Sequence, residues 1–121
     1  MNYYIIGAIS GGLVIILGAF GAHGLKEVLD EYSRSIYEKA VLYQMFHTVV
    51  ILLLGVMEKV HPQLQLYWAG WSFIIGIIIF SGSLYLLALT GIKWLGAITP
   101  LGGISFIIGW SWVFWISLNT K

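Results

Sequence analysis

Four long apolar stretches, Tyr3 to Ala22, Ala40 to Met57, Leu66 to Leu89 and Trp94 to Leu118, take up most of this chain. Each is about the length that crosses a hydrocarbon core of roughly 30 Å at about 1.5 Å rise per residue. The sequence therefore predicts an all-α integral membrane protein. Four transmembrane helices form one compact bundle, a single domain over residues 1–121.

Composition agrees with that solvent. Hydrophobic residues make up 60% of the chain and charged residues 9%, with a mean hydropathy of +0.93, far from a water-exposed surface. A net charge of +1 gives no electrostatic case for nucleic acid. The chain has no cysteine, which removes disulfides, thiolate metal sites and cysteine nucleophiles. Ala19-Phe20-Gly21 has the small-x-small look of a leader cleavage site. Met1-Asn2 lacks a basic segment, however, so the first stretch reads as a span.

In lipid, helices attract one another mainly where small residues let backbones approach. Span one is rich in them: Gly7 and Gly11 form a GxxxG, Ala8 and Gly12 repeat it, and Gly18, Gly21 and Ala22 follow. Span one is thus expected to be the central helix. Gly7, Gly11, Gly18, Gly21, Gly82 and Gly103 are the expected packing positions.

Residues 25–39 read as a short amphipathic interfacial helix between spans one and two, with Leu25, Val28, Leu29, Tyr32 and Ile36 at helical spacing. Asp30, Arg34 and Glu38 are each four apart, an ion-pair ladder worth about a few tenths of a kcal/mol per pair. Pro62 ends span two. Only Ile92 and Lys93 separate Gly91 from Trp94, so spans three and four should form a tight antiparallel hairpin. Pro100 frees a carbonyl near Gly96 and should kink span four, with Thr99 positioned to donate a local repair bond.

Lys26, Arg34, Lys39 and Lys93 gather at one end of the bundle, Lys59 and Lys121 at the other. This bias predicts loops one and three in the cytoplasm and both termini outside. Tyr3, Tyr4, Tyr67, Trp68, Trp112 and Trp115 read as an aromatic belt at the terminal end, whereas Trp71 and Trp110 lie deeper, as packing residues.

No Asp, Glu, Lys or Arg lies well inside a span. A proton-coupled exporter needs an ionisable group at depth, and the buried span-one glutamate of small multidrug exporters is missing. The polar candidates are His23, Gln44 and His47, with Ser81, Ser83 and Thr99 as a second group beside Tyr85. An antiparallel hairpin would bring His23 and His47 within one or two turns. A proton relay, a metal pair or a ligand contact is one reading. Neutral imidazoles hydrogen-bonded within the bundle are the plainer one. Two histidines without carboxylate or cysteine support make a weak metal signal, since closed zinc sites want four ligands, and no serine occupies a nucleophile turn.

The stretches GAFGAHGLK (18–26), YQMFH (43–47), FSGSLYLLALTG (80–91), LGAITPLGG (95–103) and GW (109–110) together carry a resemblance. The chain resembles the YwdK/YgdD-type family of small four-span bacterial membrane proteins, a domain of unknown function also related to a small eukaryotic transmembrane protein. That resemblance implies a four-helix protein of the bacterial plasma membrane and assigns it no activity, since the family has no established one; no cofactor is expected. His23, Gln44, His47, Ser81, Ser83, Thr99 and Pro100 fall within its motifs. Expected partners are membrane lipids and either a second copy or another membrane protein. A structural or interaction bundle is the first functional reading. A binder or transporter using a polar pocket around His23, Gln44 and His47 is the alternative. An intramembrane enzyme lacks a nucleophile–base pair.

Overall fold

The computed structural model describes residues 1–120. Lys121, counted above in the charge bias, lies outside the described residues. Four helices are long and apolar enough to cross a membrane: α1 (Tyr3–His23), α2 (Glu31–Val60), α3 (Tyr67–Thr90) and α4 (Leu95–Asn119). Local chemistry sets their ends. The Asn2 side chain accepts the Ile5 amide at 3.1 Å and caps α1. Asp30 accepts the Ser33 amide at 2.7 Å and caps α2. Gly91 closes α3 with φ of +69°, donating its amide to the Leu87 carbonyl at 2.8 Å.

Between α1 and α2 the structure departs from the expected interfacial helix. Residues 24–29 form turns, and Glu31 onward belongs to α2 itself, a 30-residue helix. Asp30 interrupts the helical pattern because its carboxylate is engaged as the cap. Arg34 does not continue the ion-pair ladder either: its guanidinium donates to the Lys26 carbonyl, drawing the turn back onto α2.

The helices run up and down with constant register. Along α1 and α2, Gly7 meets Leu52, Gly11 meets Thr48, Gly18 meets Val41 and Gly21 meets Tyr37. Along α3 and α4, Phe73 meets Gly109, Gly76 meets Phe106 and Phe80 meets Gly102. Across α2 and α3, Ala40 meets Ser81 and His47 meets Phe73. One core cluster, around Tyr3, Ile51, Leu54, Phe73 and Phe106, fills the terminal half. Another, around Ile36, Tyr37, Ala40, Leu84 and Leu95, fills the loop half.

The central helix is α2, not α1. Forty-four per cent of the most apolar window of α2 is buried, against 11% for α1. The small residues of α1 permit close approach to one neighbour, but the bulky apolar residues that fill the centre come from α2, α3 and α4. Of the expected packing glycines, Gly7 and Gly21 leave no room for a Cβ, against Leu52 and Tyr37 respectively. Gly11 and Gly18 make ordinary contacts at 3.7 and 3.6 Å, Gly103 reaches only Phe80 at 3.9 Å, and Gly82 has nothing within 4 Å. The tightest crossing is at Gly102, where a Cβ would collide with the Phe80 backbone nitrogen.

Helix α3 contains a π-helical turn at Ile77–Ser81, and α4 runs through Pro100 without interruption. Tyr3 leaves the expected belt for the core, at 1% exposure, because it lies under Gly70 of α3. Tyr4, Tyr67, Trp68 and Trp115 stay on the outside. Trp71 and Trp110 are also on the surface, 42% and 41% exposed, rather than packed away in the core.

Two outcomes test this frame. Gly102→Val should lower stability in detergent by about 1–3 kcal/mol, since the colliding atom is backbone and cannot rotate aside; an unchanged melting curve would refute the close crossing. The Asp30 carboxyl is held below its ordinary 3.8, first by the Ser33 amide and then by the Ser33 hydroxyl. A depressed carboxyl contributes stability above its unfolded value, and the contribution is lost as pH falls through 3.8 and below. Asp30→Asn retains a cap and should remove that acid dependence; an identical acid melt for both proteins would count against it.

Candidate functional site

Within the spans, polar side chains converge on α2 from three sides. On the α1 side, Ser10 and Thr48 share a hydroxyl–hydroxyl bond of 2.6 Å. The Gln44 amide nitrogen lies 3.4 Å from both the Ser10 carbonyl and its hydroxyl. The Gln44 amide oxygen accepts from the Tyr85 hydroxyl of α3 at 2.8 Å. Tyr37 crosses below, donating to the Leu17 carbonyl at 2.5 Å and meeting the Tyr85 ring edge-on with centroids 5.1 Å apart. A glutamine can bridge here because its amide supplies both donor and acceptor.

On the α4 side stands His47, 3% exposed. Its Nδ1 is 2.8 Å from the Tyr43 carbonyl, which can only accept, so Nδ1 carries the proton. Nε2 is then an acceptor, and Trp110 Nε1 donates to it at 3.3 Å. The imidazole stacks on Phe106 with centroids 3.6 Å apart and planes within 5°, and Phe46 meets it edge-on at 5.1 Å. Both nitrogens of a neutral ring are thereby occupied. Beside it a groove of about 550 Å³ opens between α2 and α4, walled by Tyr43, Phe46, Phe106 and Trp110.

The second polar group divides. Ser81 donates to the Ala40 carbonyl at 2.8 Å and ties α3 to α2. Ser83 lies 3.0 Å from the Phe80 carbonyl and 2.6 Å from the Thr99 hydroxyl, tying α3 to α4. Thr99 also lies 3.3 Å from the Leu95 carbonyl, one residue before the Gly96 carbonyl that Pro100 leaves without its helical donor. These hydroxyls contact carbonyls or each other, and His47 contacts none of them.

The expected pocket of His23, Gln44 and His47 does not assemble. His23 is exposed at the end of α1, level with the first turns of α2 because Gly21 abuts Tyr37. Ten positions of α2, about 15 Å, then separate Tyr37 from His47. Gln44 faces α1 and α3, whereas His47 faces α4. Among the described residues no three His, Cys, Asp or Glu side chains come together for a metal. Sequence reasoning chose Gln44 and His47 but missed their partners. Ser10 reads as one more small residue and Thr48 as a span residue. Tyr85 was noted only beside the serines, and Trp110 only as packing. Their sole sequence signal is register: Ser10 and Thr48 align once α1 and α2 are paired as an antiparallel hairpin.

A structural imidazole should tolerate a flat replacement better than removal. His47→Ala opens a cavity under Phe106 and should cost about 2–4 kcal/mol, with His47→Phe costing less. Chemical denaturation in detergent checks the order; equal stability of wild type and His47→Ala would refute the packing role.

Comparison with known proteins agrees with this architecture. Residues 17–103 match the family described as "Protein of unknown function (DUF423)". A UPF0382 membrane protein of Staphylococcus aureus is 48% identical over 108 residues, 89% of this chain and 88% of that protein. Similar proteins from Staphylococcus haemolyticus and Staphylococcus saprophyticus are 47% and 45% identical over the same length, covering 89% of this chain and 88% and 89% of those proteins. No solved structure matches. With four bilayer-length helices and a family match over most of its length, the chain belongs to the DUF423 family of membrane proteins, whose function is unknown.

Proposed function

We propose that this protein is an interaction bundle of the bacterial plasma membrane, without catalysis of its own, and that α1 is the helix it offers to a partner. The observation that carries this reading is the two-sided character of α1. Gly7, Gly11, Gly18 and Gly21 turn toward α2, whereas Ala8, Gly12 and Ala19 lie exposed, and nothing comes within 4 Å of a Cβ at Gly12. Ala8 and Gly12, four apart and turned outward, let a second helix approach closely in lipid, with Ile15 on the same face one turn further on. A second copy of the chain is the first candidate.

Further support comes from the interior. The Gln44, His47, Ser81, Ser83 and Thr99 side chains have partners within the bundle, which leaves little polar capacity for cargo. The Lys and Arg bias favours loops one and three in the cytoplasm, with both termini outside. The motifs also favour the narrower kinship with YwdK/YgdD-type proteins.

The absence of cysteine makes the test direct. Gly12→Cys should form a disulfide-linked dimer on mild oxidation in native membranes, and Ile107→Cys, on the exposed face of α4, should not. Gly12→Leu should abolish the association measured by native mass spectrometry while leaving melting unchanged. Equal cross-linking at both positions, or none at Gly12, would overturn the reading.

A further inference from the structure

A second opening, about 460 Å³, lies between the end of α1 and the first turns of α2. Its composition changes along its length. Lys26, Arg34 and Glu38 line the outer end, and Val41, Leu42 and Met45 line the inner end. The α1 wall is Gly18, Gly21 and Ala22, against which Val41 and the Tyr37 ring of α2 close the back of the opening.

The opening also spans the right depth. Arg34 lies three residues before Tyr37, which packs against Gly21 near the end of the α1 apolar run. Eleven positions, about 16 Å of helix, then run from Arg34 to Met45. The polar end is thus level with the headgroups and the apolar end reaches into hydrocarbon. Two cations and one carboxylate leave one net positive charge at the polar end, the complement of a single phosphodiester. Arg34 uses its guanidinium on the Lys26 carbonyl and so clasps the turn that carries Lys26. A guanidinium has five N–H donors in a fork that suits phosphate oxygens.

We propose that this cleft is a binding site for one glycerophospholipid, with its phosphodiester on Lys26 and Arg34 and an acyl chain along Val41, Leu42 and Met45. Glu38 stands beside the phosphate, where it accepts from a headgroup hydroxyl or ammonium. The site goes beyond the partner face proposed for α1, since Gly12 does not line it. Leu42 also lines the aromatic groove beside His47, so the two openings share one wall residue.

Native mass spectrometry of the full-length protein tests this, after release from nanodiscs containing phosphatidylglycerol, phosphatidylethanolamine or diacylglycerol of the same chains. One phospholipid of either class should remain bound per chain, in preference to diacylglycerol. The Lys26→Ala/Arg34→Ala pair should lower that occupancy at least about tenfold, the effect of losing charge-assisted bonds. Lys93→Ala, outside the cleft, should not change it. If the double variant melts early, Arg34→Lys and Met45→Trp provide separate tests: the first retains charge and should retain partial occupancy, the second blocks the tail and should abolish it. Equal retention of diacylglycerol, or undiminished phospholipid in both the double variant and Met45→Trp, would overturn the site. So would a lipid-free dimer that the double variant abolishes, because the cleft would then hold a second copy.

Discussion

Lipid gives no hydrogen bond to a side chain, so the bundle must supply its own, and the arrangement of these four helices follows from how it does so. Each crossing of consecutive helices carries at least one such bond. Ser10 and Thr48 fix α1 against α2, Ser81 and the Ala40 carbonyl fix α2 against α3, and Ser83 and Thr99 fix α3 against α4. His47 and Trp110 add a tie from α2 to α4. Apolar surface alone would not hold these helices in one register, since in lipid an apolar face has little to gain from a protein neighbour over an acyl chain. The hydroxyls make one register better than its neighbours, and the glycines then allow the backbones to close.

This explains why α2 occupies the centre. Of its buried polar residues, Gln44 and Thr48 are four apart and share the side toward Ser10 of α1, while His47 stands about 100° round the helix from Thr48, toward Trp110 of α4. A helix whose polar groups bond to α1, to Tyr85 of α3 and to α4 has to be enclosed by all three. The exposed face of α1 carries no such demand, and α1 stays at the edge.

The four spans were legible in the sequence because length and hydropathy suffice to set them, and the α3–α4 hairpin followed from its short link. The choice of central helix was not legible in the glycine content of α1. The α1 glycines give close approach to one neighbour, α2, and Gly12 and Gly82 have nothing against them. The site was half legible. Gln44 and His47 stand out as polar residues in apolar runs, but Ser10, Thr48, Tyr85 and Trp110 are unremarkable until register brings them together. The pairing of His23 with His47 failed for the same reason: both lie toward one end of a hairpin, but on different faces and about three turns apart. Likewise the amphipathic helix read over 25–39 begins only at Glu31 and is continuous with α2, because apolar spacing says nothing of Asp30, whose carboxylate starts a helix rather than continuing one.

The wide turn at Ile77–Ser81 has a geometric consequence for α3. Before it, buried positions fall at Ala69, Gly70, Phe73 and Gly76; after it, at Ser81, Ser83, Leu84, Leu87 and Ala88. The step of five from Gly76 to Ser81 resets the angular phase of the helix, as one inserted residue would. Without that reset, the apolar stripe facing Phe106 and the hydroxyl-bearing stripe facing Ala40 and Thr99 would drift apart around the axis. Where the reset ends, at Gly82, the antiparallel register brings Pro100 of α4 alongside. The two departures from regular α-helical bonding in the hairpin thus meet at one level, nearer the Gly91 turn than the chain termini.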